Sequence, residues 1–337
     1  MIDRPGLRLT LQGADHFEVR GPLADRAAEF ARRLFQALGH PGDPPCRIQI
    51  ESAPPEHVGL GTGTQLGLAV ASALHPLLMT QPALRGGEFL GESRVALASG
   101  EVAVADDRDF ASPEARLQSR PPNTSQPFQE KLAVEQLAQC VGRGARSAIG
   151  THGFASGGLI FEQGKLSAEA VSPLVARVEL PEQWRFVLFW PDDLRGLSGD
   201  EERDAFRHLH AISAETTHNL MEFATQEILP AAAAGDVQAF GDALYRYGHE
   251  AGMCFAQHQH GAFASARVAA LVDAIRKLGI SGVGQSSWGP TVYAVTADED
   301  RAVALVRQLQ EAGQIDPAQS MIVSPNHRGA KIDIKRS

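Results

Sequence analysis

Residues 141 to 158 read VGRGARSAIGTHGFASGG, with six glycines, two arginines and two serines in eighteen positions. That is too much glycine for a packed helix and too little apolar surface for a core strand. Glycine lets backbone approach a ligand closely and adopt positive φ. Arginine supplies a forked, permanently charged donor matched to phosphate. Arg143, Arg146 and Ser147, set among Gly144, Gly150, Gly157 and Gly158, are therefore candidates for holding an anionic ligand. A surface loop whose arginines cap carbonyls would use the same residue types.

A second glycine-rich stretch, GLGTGT, places Gly59, Gly61, Thr62, Gly63 and Thr64 at the start of an apolar helical run. A loop that opens a helix presents backbone N–H groups and the positive end of the helix dipole, which together bind phosphate. The threonines add hydroxyls for phosphate oxygens or a hydrated metal. The stretch lacks the lysine of a Walker loop and does not match a dinucleotide fingerprint. A structural turn packed close to a sheet explains it equally well.

Two further stretches have polar groups in tight surroundings. PDDLRGLSGDEERDAF carries Arg195 in a turn and Ser198 as a helix cap, with Glu201 and Glu202 in the first helical turn. Capping accounts for this pattern. GVGQSSWGPTVYA sets Gln285, Ser286, Ser287, Trp288 and Thr291 beside glycines ahead of a strand. Small polar groups next to an aromatic ring suit a planar ligand, and also a tight turn. His249, His258 and His260 have no cysteine or carboxylate at zinc-site spacing. No GxSxG elbow or recognisable Cys/His pairing suggests acyl transfer.

The elements that must position these residues follow from periodicity. LRLTLQG and HFEVRG read as short strands around the turn at Gly13. LADRAAEFARRLFQALG is an amphipathic helix with Ala27, Phe30, Leu34 and Leu38 on one face. CRIQIESAPP is a strand ended by its proline pair. HVGLGTGTQLGLAVASALHPLL passes from loop to helix with Leu66, Val70, Ala73, Leu74 and Leu77 on one stripe. Helices are expected over PALRGGEFL, ESRVALASG and FQEKLAVEQLAQC, a loop over residues 120 to 127, and a hairpin turning at Gly164.

A second unit starts near residue 179 with the buried strand WRFVLFWP. Helical stretches follow around 200–215, 217–234 and 236–255, with a fourth over SARVAALVDAIRKLG. TVYAVTAD is a strand, EDRAVALVRQLQEAG a helix, and QSMIVSPNHRGAKI a last strand and tail. The expected organisation is α+β in two domains, 1–178 and 179–337.

The bulk numbers narrow the function classes. A net charge of −9 argues against general nucleic-acid binding, which leaves a basic footprint, but permits a local basic pocket. Cys46, Cys140 and Cys254 lie far apart, an odd count that reads as reduced thiols. No stretch approaches the ~20 apolar residues of a membrane span and no signal-peptide pattern opens the chain, so no membrane association and a cytoplasmic location are expected.

Taken in order, the motifs resemble one superfamily. PPEHVGLGTGTQLGLAVASAL resembles the phosphate loop and helix of the GHMP small-molecule kinases, and the arginine-glycine stretch and GVGQSSWGPTVYA occupy the places of that superfamily's second and third motifs. The kinases carry an aspartate where this chain has Gly150, and a serine associated with magnesium where it has Gly63. Those departures weaken a γ-phosphoryl transfer reading.

GRGARSAIGTHGFASGG, RGLSGDEE and GQSSWGPTVYA closely resemble the β-ribofuranosylaminobenzene 5′-phosphate synthase branch. That resemblance implies a two-domain GHMP fold, ribosomal-protein-like and then ferredoxin-like. It also implies condensation of phosphoribosyl pyrophosphate with 4-hydroxybenzoate or 4-aminobenzoate in methanopterin biosynthesis, with loss of pyrophosphate and CO2. Mg2+ would accompany the pyrophosphate, and a homodimer is compatible with it. Arg143, Arg146 and a metal would stabilise the leaving group, with Ser147 beside them as a further catalytic residue, Arg195 would hold the benzoate carboxylate and Trp288 would flank the ring. The remaining glycines, hydroxyls and Gln285 would line the substrate site. An ATP-dependent kinase and a non-catalytic ligand-binding member of the fold stay open as alternatives. The resemblance also places a further strand and a glycine turn ahead of the part matching MIDRPGLRLTL. The expectation is a gene product that begins upstream of Met1, and otherwise an unpaired sheet edge in the first domain.

Overall fold

The computed structural model describes residues 1–79, 91–97, 132–164, 171–190, 207–208, 212–259, 261–287 and 289–336. The first sheet is built from β1 (Arg8–Gly13), β2 (Glu18–Arg20), β3 (Cys46–Ser52), β4 (Gly91–Leu97) and β11 (Ala330–Arg336), in the order β11-β4-β1-β3-β2. β1 has β3 on one side and β4 on the other, both antiparallel, so the unpaired edge expected beside the N-terminal strand does not lie on β1. β1 and β2 are not neighbours, because β3 sits between them and pairs parallel with β2.

Alternation explains β1 and β3: Leu9, Leu11, Ile48 and Ile50 face the core while the intervening residues face outward. Against them lie α1 (Ala24–Ala37) and α2 (Thr62–Met79). α1 buries Ala27, Phe30 and Leu34 of the expected stripe together with Ala31 and Phe35, while Leu38 caps the helix and is partly buried. α2 is buried all round, from Leu66 through Leu77, where one stripe was expected. Such a helix is central, packed on its other sides by α1, α3 (Val134–Cys140) and α4 (Ile149–Ser156).

Two expectations change here. ESRVALASG was expected as a helix, yet residues 91–97 form a strand paired to β1 and β11 on its two sides. Its Glu, Arg, Ala and Leu content favours helix locally, and the two ladders override that preference. The hairpin after Gly157 pairs β5 (Leu159–Glu162) with β6 (Leu174–Val178), so its second strand starts later than a turn at Gly164 implies. The expected helix over PALRGGEFL and the loop at 120–127 lie outside the described residues.

The second sheet runs β10-β7-β9-β8, from β7 (Arg185–Phe189), β8 (Val283–Gln285), β9 (Val292–Thr296) and β10 (Ser320–Val323). One face packs on α9 (Ala266–Lys277) and α10 (Glu299–Glu311) through Val268, Val272, Ile275 and Leu305. The other packs through Trp184, Ile228, Ala232 and Phe240 on a long helix and on α7 (Val237–Met253). That long helix is α5 (Ala214–Glu222), a π-helical turn at Phe223–Ile228, and α6 (Leu229–Ala234). α8 (Ala256–Gln259) is a short turn after α7. Most of the stretch expected as a helix at 200–215 lies outside the described residues.

The sequence boundary at 178/179 falls between β6 and β7. The last strand nevertheless crosses back: β11, read with the second unit, completes the first sheet along β4. QSMIVSPNHRGAKI is therefore two strands in two sheets rather than one strand and a tail. Among the described residues no helix is long and apolar enough to cross a membrane.

Candidate functional site

The phosphate loop is fixed from both sides. Gly59 has φ 88° and Gly61 has φ 69°, conformations that favour glycine. Thr62 is buried and donates to the Pro55 carbonyl at 2.9 Å, while the N–H groups of Thr64 and Gln65 bond the Gly61 carbonyl. The N–H groups of Thr62 and Gly63 come ahead of the first such bond, the usual condition of a helix N-terminus.

Arginines crowd this end of α2. A Cβ at Gly63 would lie 2.6 Å from Arg26 Nη2 and 3.3 Å from Arg143 Nη2. Glycine at 63 thus leaves room for two guanidinium groups beside the loop. Arg26 is ion-paired with Glu56, and Arg33 with Glu29. The Arg143 guanidinium lies over the Phe30 ring, 4.8 Å from its centroid. Its Nε is buried and has no hydrogen-bond partner among the described residues. Burial, and then the like charges of Arg26, Arg33 and Arg146, pull the Arg143 pKa down to about 10, with Glu29 acting in the opposite sense. Arg143 remains a cation at neutral pH, held where positive charge is under-compensated. An anion would relieve that.

The loop that carries Arg143 and Arg146 is anchored by its neighbours. Ser147 Oγ donates to Glu162 Oε1 at 2.7 Å, and the Ala148 N–H donates to Glu162 Oε2 at 2.6 Å. Ser147 also accepts from the Ile149 N–H at 3.3 Å, helping to start α4. In this geometry Ser147 fixes the loop to β5. Gly144, at φ 77°, approaches Val171 and Thr151. Gly150 meets α2 directly: its carbonyl accepts from Gln65 Nε2 at 3.1 Å, and a Cβ there would lie 2.9 Å from Thr64 Cγ2.

The third motif reaches the same loop from the second unit. Ser286 Oγ donates to the Gly59 carbonyl at 2.7 Å, and a Cβ at Gly59 would strike Ser286 O. Gln285 is engaged at both ends, accepting from the Ala264 N–H at 2.6 Å and donating to Ser287 O at 2.8 Å. Ser287 has φ 54°. The Thr291 carbonyl accepts from the Ser286 N–H, while its buried hydroxyl has no partner among the described residues. Trp288, Arg195 and Ser198 lie outside the described residues.

Gly157 and Gly158 are not at this convergence. A Cβ on Gly157 would collide with the backbone of residues 326–328, and the Gly158 N–H bonds Asn326 O at 2.7 Å. At both glycines the geometry shows a close approach of two backbones. Sequence reasoning missed Arg26 and Arg33. The signal was present: Arg26, Phe30 and Arg33 recur at helical spacing, an aromatic ring flanked by two cations on one face of α1.

Among the described residues no group of three or more His, Cys, Asp or Glu side chains is placed to hold an ion. The carboxylates nearest the loop, Glu56 and Glu29, are paired with arginines. This set does not build a resident cage for Mg2+.

These loops, closing one glycine-rich helix start between two α+β units, define a protein of the GHMP kinase fold. The family described as GHMP kinases C terminal matches residues 228–315. Among solved structures the chain is similar to homoserine kinase from Cytophaga hutchinsonii, with TM-score 0.58 and 14% identity over 98% of this chain and 90% of that one. It is also similar to mevalonate diphosphate decarboxylase from Staphylococcus aureus, with TM-score 0.56 and 13% identity over 97% and 85%. Over its whole length it is 25% identical to β-ribofuranosylphenol 5′-phosphate synthase of Methanothermobacter thermautotrophicus, covering 98% of this chain and 88% of that protein. The corresponding protein of Archaeoglobus fulgidus is also 25% identical, over 99% and 90%. The chain is a homologue of the β-ribofuranosylphenol 5′-phosphate synthases within the GHMP kinase superfamily.

Proposed function

We propose that this protein condenses phosphoribosyl pyrophosphate with a 4-substituted benzoate, releasing pyrophosphate and CO2 and forming a C-riboside 5′-phosphate, as in methanopterin biosynthesis. The observation that carries the reading is Arg143, half-buried against the start of α2 with its charge opposed by Arg26, Arg33 and Arg146. The Arg26 and Arg143 guanidinium groups beside a glycine-rich helix start, with Arg33 and Arg146 close enough to act on Arg143, suit a ligand with several phosphate charges.

The chemistry asks little of the protein beyond electrostatics. As the ribosyl C1–O bond breaks, its electron pair leaves with pyrophosphate and positive charge grows on the sugar. Arg143 and Arg146 stabilise the departing anion, and Ser147 holds their loop in place through Glu162. The ring carbon that bears the carboxylate lies para to the hydroxyl or amine, which pushes electron density toward it. It bonds to C1, and the carboxylate leaves as CO2, returning its bonding pair to the ring. Atoms and electrons balance with no oxidant and no covalent enzyme intermediate. Mg2+ enters this proposal as a companion of the donor's pyrophosphate, where it would supply charge neutralisation. Because the relatives are named for a ribofuranosylphenol, 4-hydroxybenzoate is the favoured acceptor.

The test is to supply phosphoribosyl pyrophosphate, Mg2+ and carboxyl-labelled 4-hydroxybenzoate or 4-aminobenzoate, and to measure CO2 and pyrophosphate. Equal release of both products, dependent on both substrates, is expected. Phosphorylation of a metabolite by ATP with no CO2 release would overturn the reading in favour of a kinase.

A further inference from the structure

The arginine loop hangs between two helices. α3 delivers the chain to Val141, and α4 takes it up again at Ile149. His152, on α4, is only 6% exposed and faces partners on two sides. Its Nδ1 lies 3.7 Å from Glu135 Oε1 on α3. Its Nε2 lies 2.8 Å from the Ser172 carbonyl, and since a carbonyl only accepts, that nitrogen carries the hydrogen and donates. Imidazole suits this place, because its two nitrogens serve different partners from one rigid ring.

Ser172 belongs to a strap, residues 171–173, set against the loop. Ser172 is buried, so its carbonyl would be costly to leave unpaired. The Pro173 carbonyl accepts from the Gln163 N–H at 3.2 Å, which ties the strap to the end of β5. At the other end Val171 meets Gly144, where a Cβ would lie 3.1 Å from Val171 Cγ2 and 3.6 Å from Thr151 Oγ1. Gly144 is thus clasped between the strap and α4, with φ 77°, and His152 holds the strap to α4.

Arg143 comes one residue before the clasped glycine and Arg146 two after it. The seat of Gly144 therefore sets how the two guanidinium groups leave the backbone. We propose that His152 is a positioning residue for anion binding by the arginine loop, acting through Ser172, Val171 and Gly144. This rests on the proposed condensation only in taking that loop as the binder of the departing pyrophosphate.

The experiment is calorimetric titration with inorganic pyrophosphate of the wild type, His152→Phe, His152→Gln, Val171→Ala and the double variant His152→Phe/Val171→Ala, with circular dichroism checking each fold. His152→Phe keeps a planar ring and loses the donor, and its affinity should fall about tenfold as the arginine contacts loosen. Glutamine can offer an amide N–H to the Ser172 carbonyl, so His152→Gln should stay close to the wild type. Val171→Ala leaves the hydrogen bonds of the strap in place and should weaken binding by itself. The double variant should be no weaker than His152→Phe alone, since both changes act on one contact. In turnover, His152→Phe should raise KM for the donor and leave KM for the benzoate unaltered.

Undiminished affinity in folded His152→Phe would overturn the inference. So would full affinity in Val171→Ala, whether or not His152→Phe folds. Equal losses in His152→Gln and His152→Phe would reduce His152 to packing, and losses that multiply in the double variant would remove the route through the strap. Pyrophosphate affinity that depends on His152 in a protein that releases no CO2 would keep the inference and overturn the condensation. CO2 release with donor KM and pyrophosphate affinity unaltered in His152→Phe would do the reverse.

Discussion

Arg143 sits where its own charge is disfavoured. Its pKa is depressed, so the charged form loses free energy on folding throughout the range below about 10, and the loss is relieved as pH rises through that value. Two effects of Arg143→Met then have opposite signs. The methionine keeps much of the stem that packs near Phe30 and removes the like-charge repulsion, so the ligand-free melting temperature should stay level or rise. Donor affinity should fall about tenfold or more, because a charge-assisted contact to an anion is worth ~1.5–3 kcal/mol. Calorimetry and a thermal melt on one preparation check both, and an undiminished affinity would remove Arg143 from the site. Gly150→Asp tests the loop from the other side. Its Cβ would press on Thr64, and its carboxylate would repel a bound anion by about 2 kcal/mol at ~8 Å and an effective dielectric of ~20. Donor binding should weaken more than tenfold, with no ATP-dependent phosphorylation appearing, since Gly63 still lacks the kinase serine. Full binding in Gly150→Asp would displace the donor from this loop.

Between elements, the decisive contact is the seating of the phosphate loop on the third motif. Gly59 and Gly61 both have positive φ, but only Gly59 has backbone within reach of a Cβ, whereas Gly61 has nothing within 4 Å. Gly61→Ala should therefore cost only the left-handed conformation, ~1–2 kcal/mol. Gly59→Ala must also push Ser286 away and should lower stability further, with a larger loss of donor affinity. Parallel denaturant melts and titrations would show the order, and equal effects would mean that the two loops do not depend on each other. The glycine loops and the amphipathic α1 were legible because backbone freedom and helical periodicity are local properties. The pairing of Gly59 with Ser286 was not, since 227 residues separate them. β4 was misread for the same reason: its residues favour helix locally, and its strand exists through β1 and β11. The backbone of residues 326–328 against Gly157 was not legible either, because a glycine that admits a backbone and one that admits a phosphate look alike in sequence.

Across the described residues, several contacts tie the second half of the chain to the first unit. β11 completes the first sheet, Ser286 holds Gly59, and residues 326–328 lie against Gly157 and Gly158. The basic cluster is a local inversion within a chain of net charge −9, so the field that draws an anion to it is short in range and screened by salt. Ligand binding at this cluster should then stabilise both units together. All three tryptophans, Trp184, Trp190 and Trp288, belong to the second half, and Trp184 is buried in its core. Inorganic pyrophosphate at 100 times its Kd should add about 2.7 kcal/mol to the stability of the state that binds it. The melting midpoint seen by tryptophan fluorescence should rise with that seen by far-ultraviolet circular dichroism, although the arginines lie in the first unit. In Arg143→Met both shifts should shrink together. A tryptophan transition that stays in place while the dichroism transition moves would show that the units unfold independently, and that these contacts do not couple them.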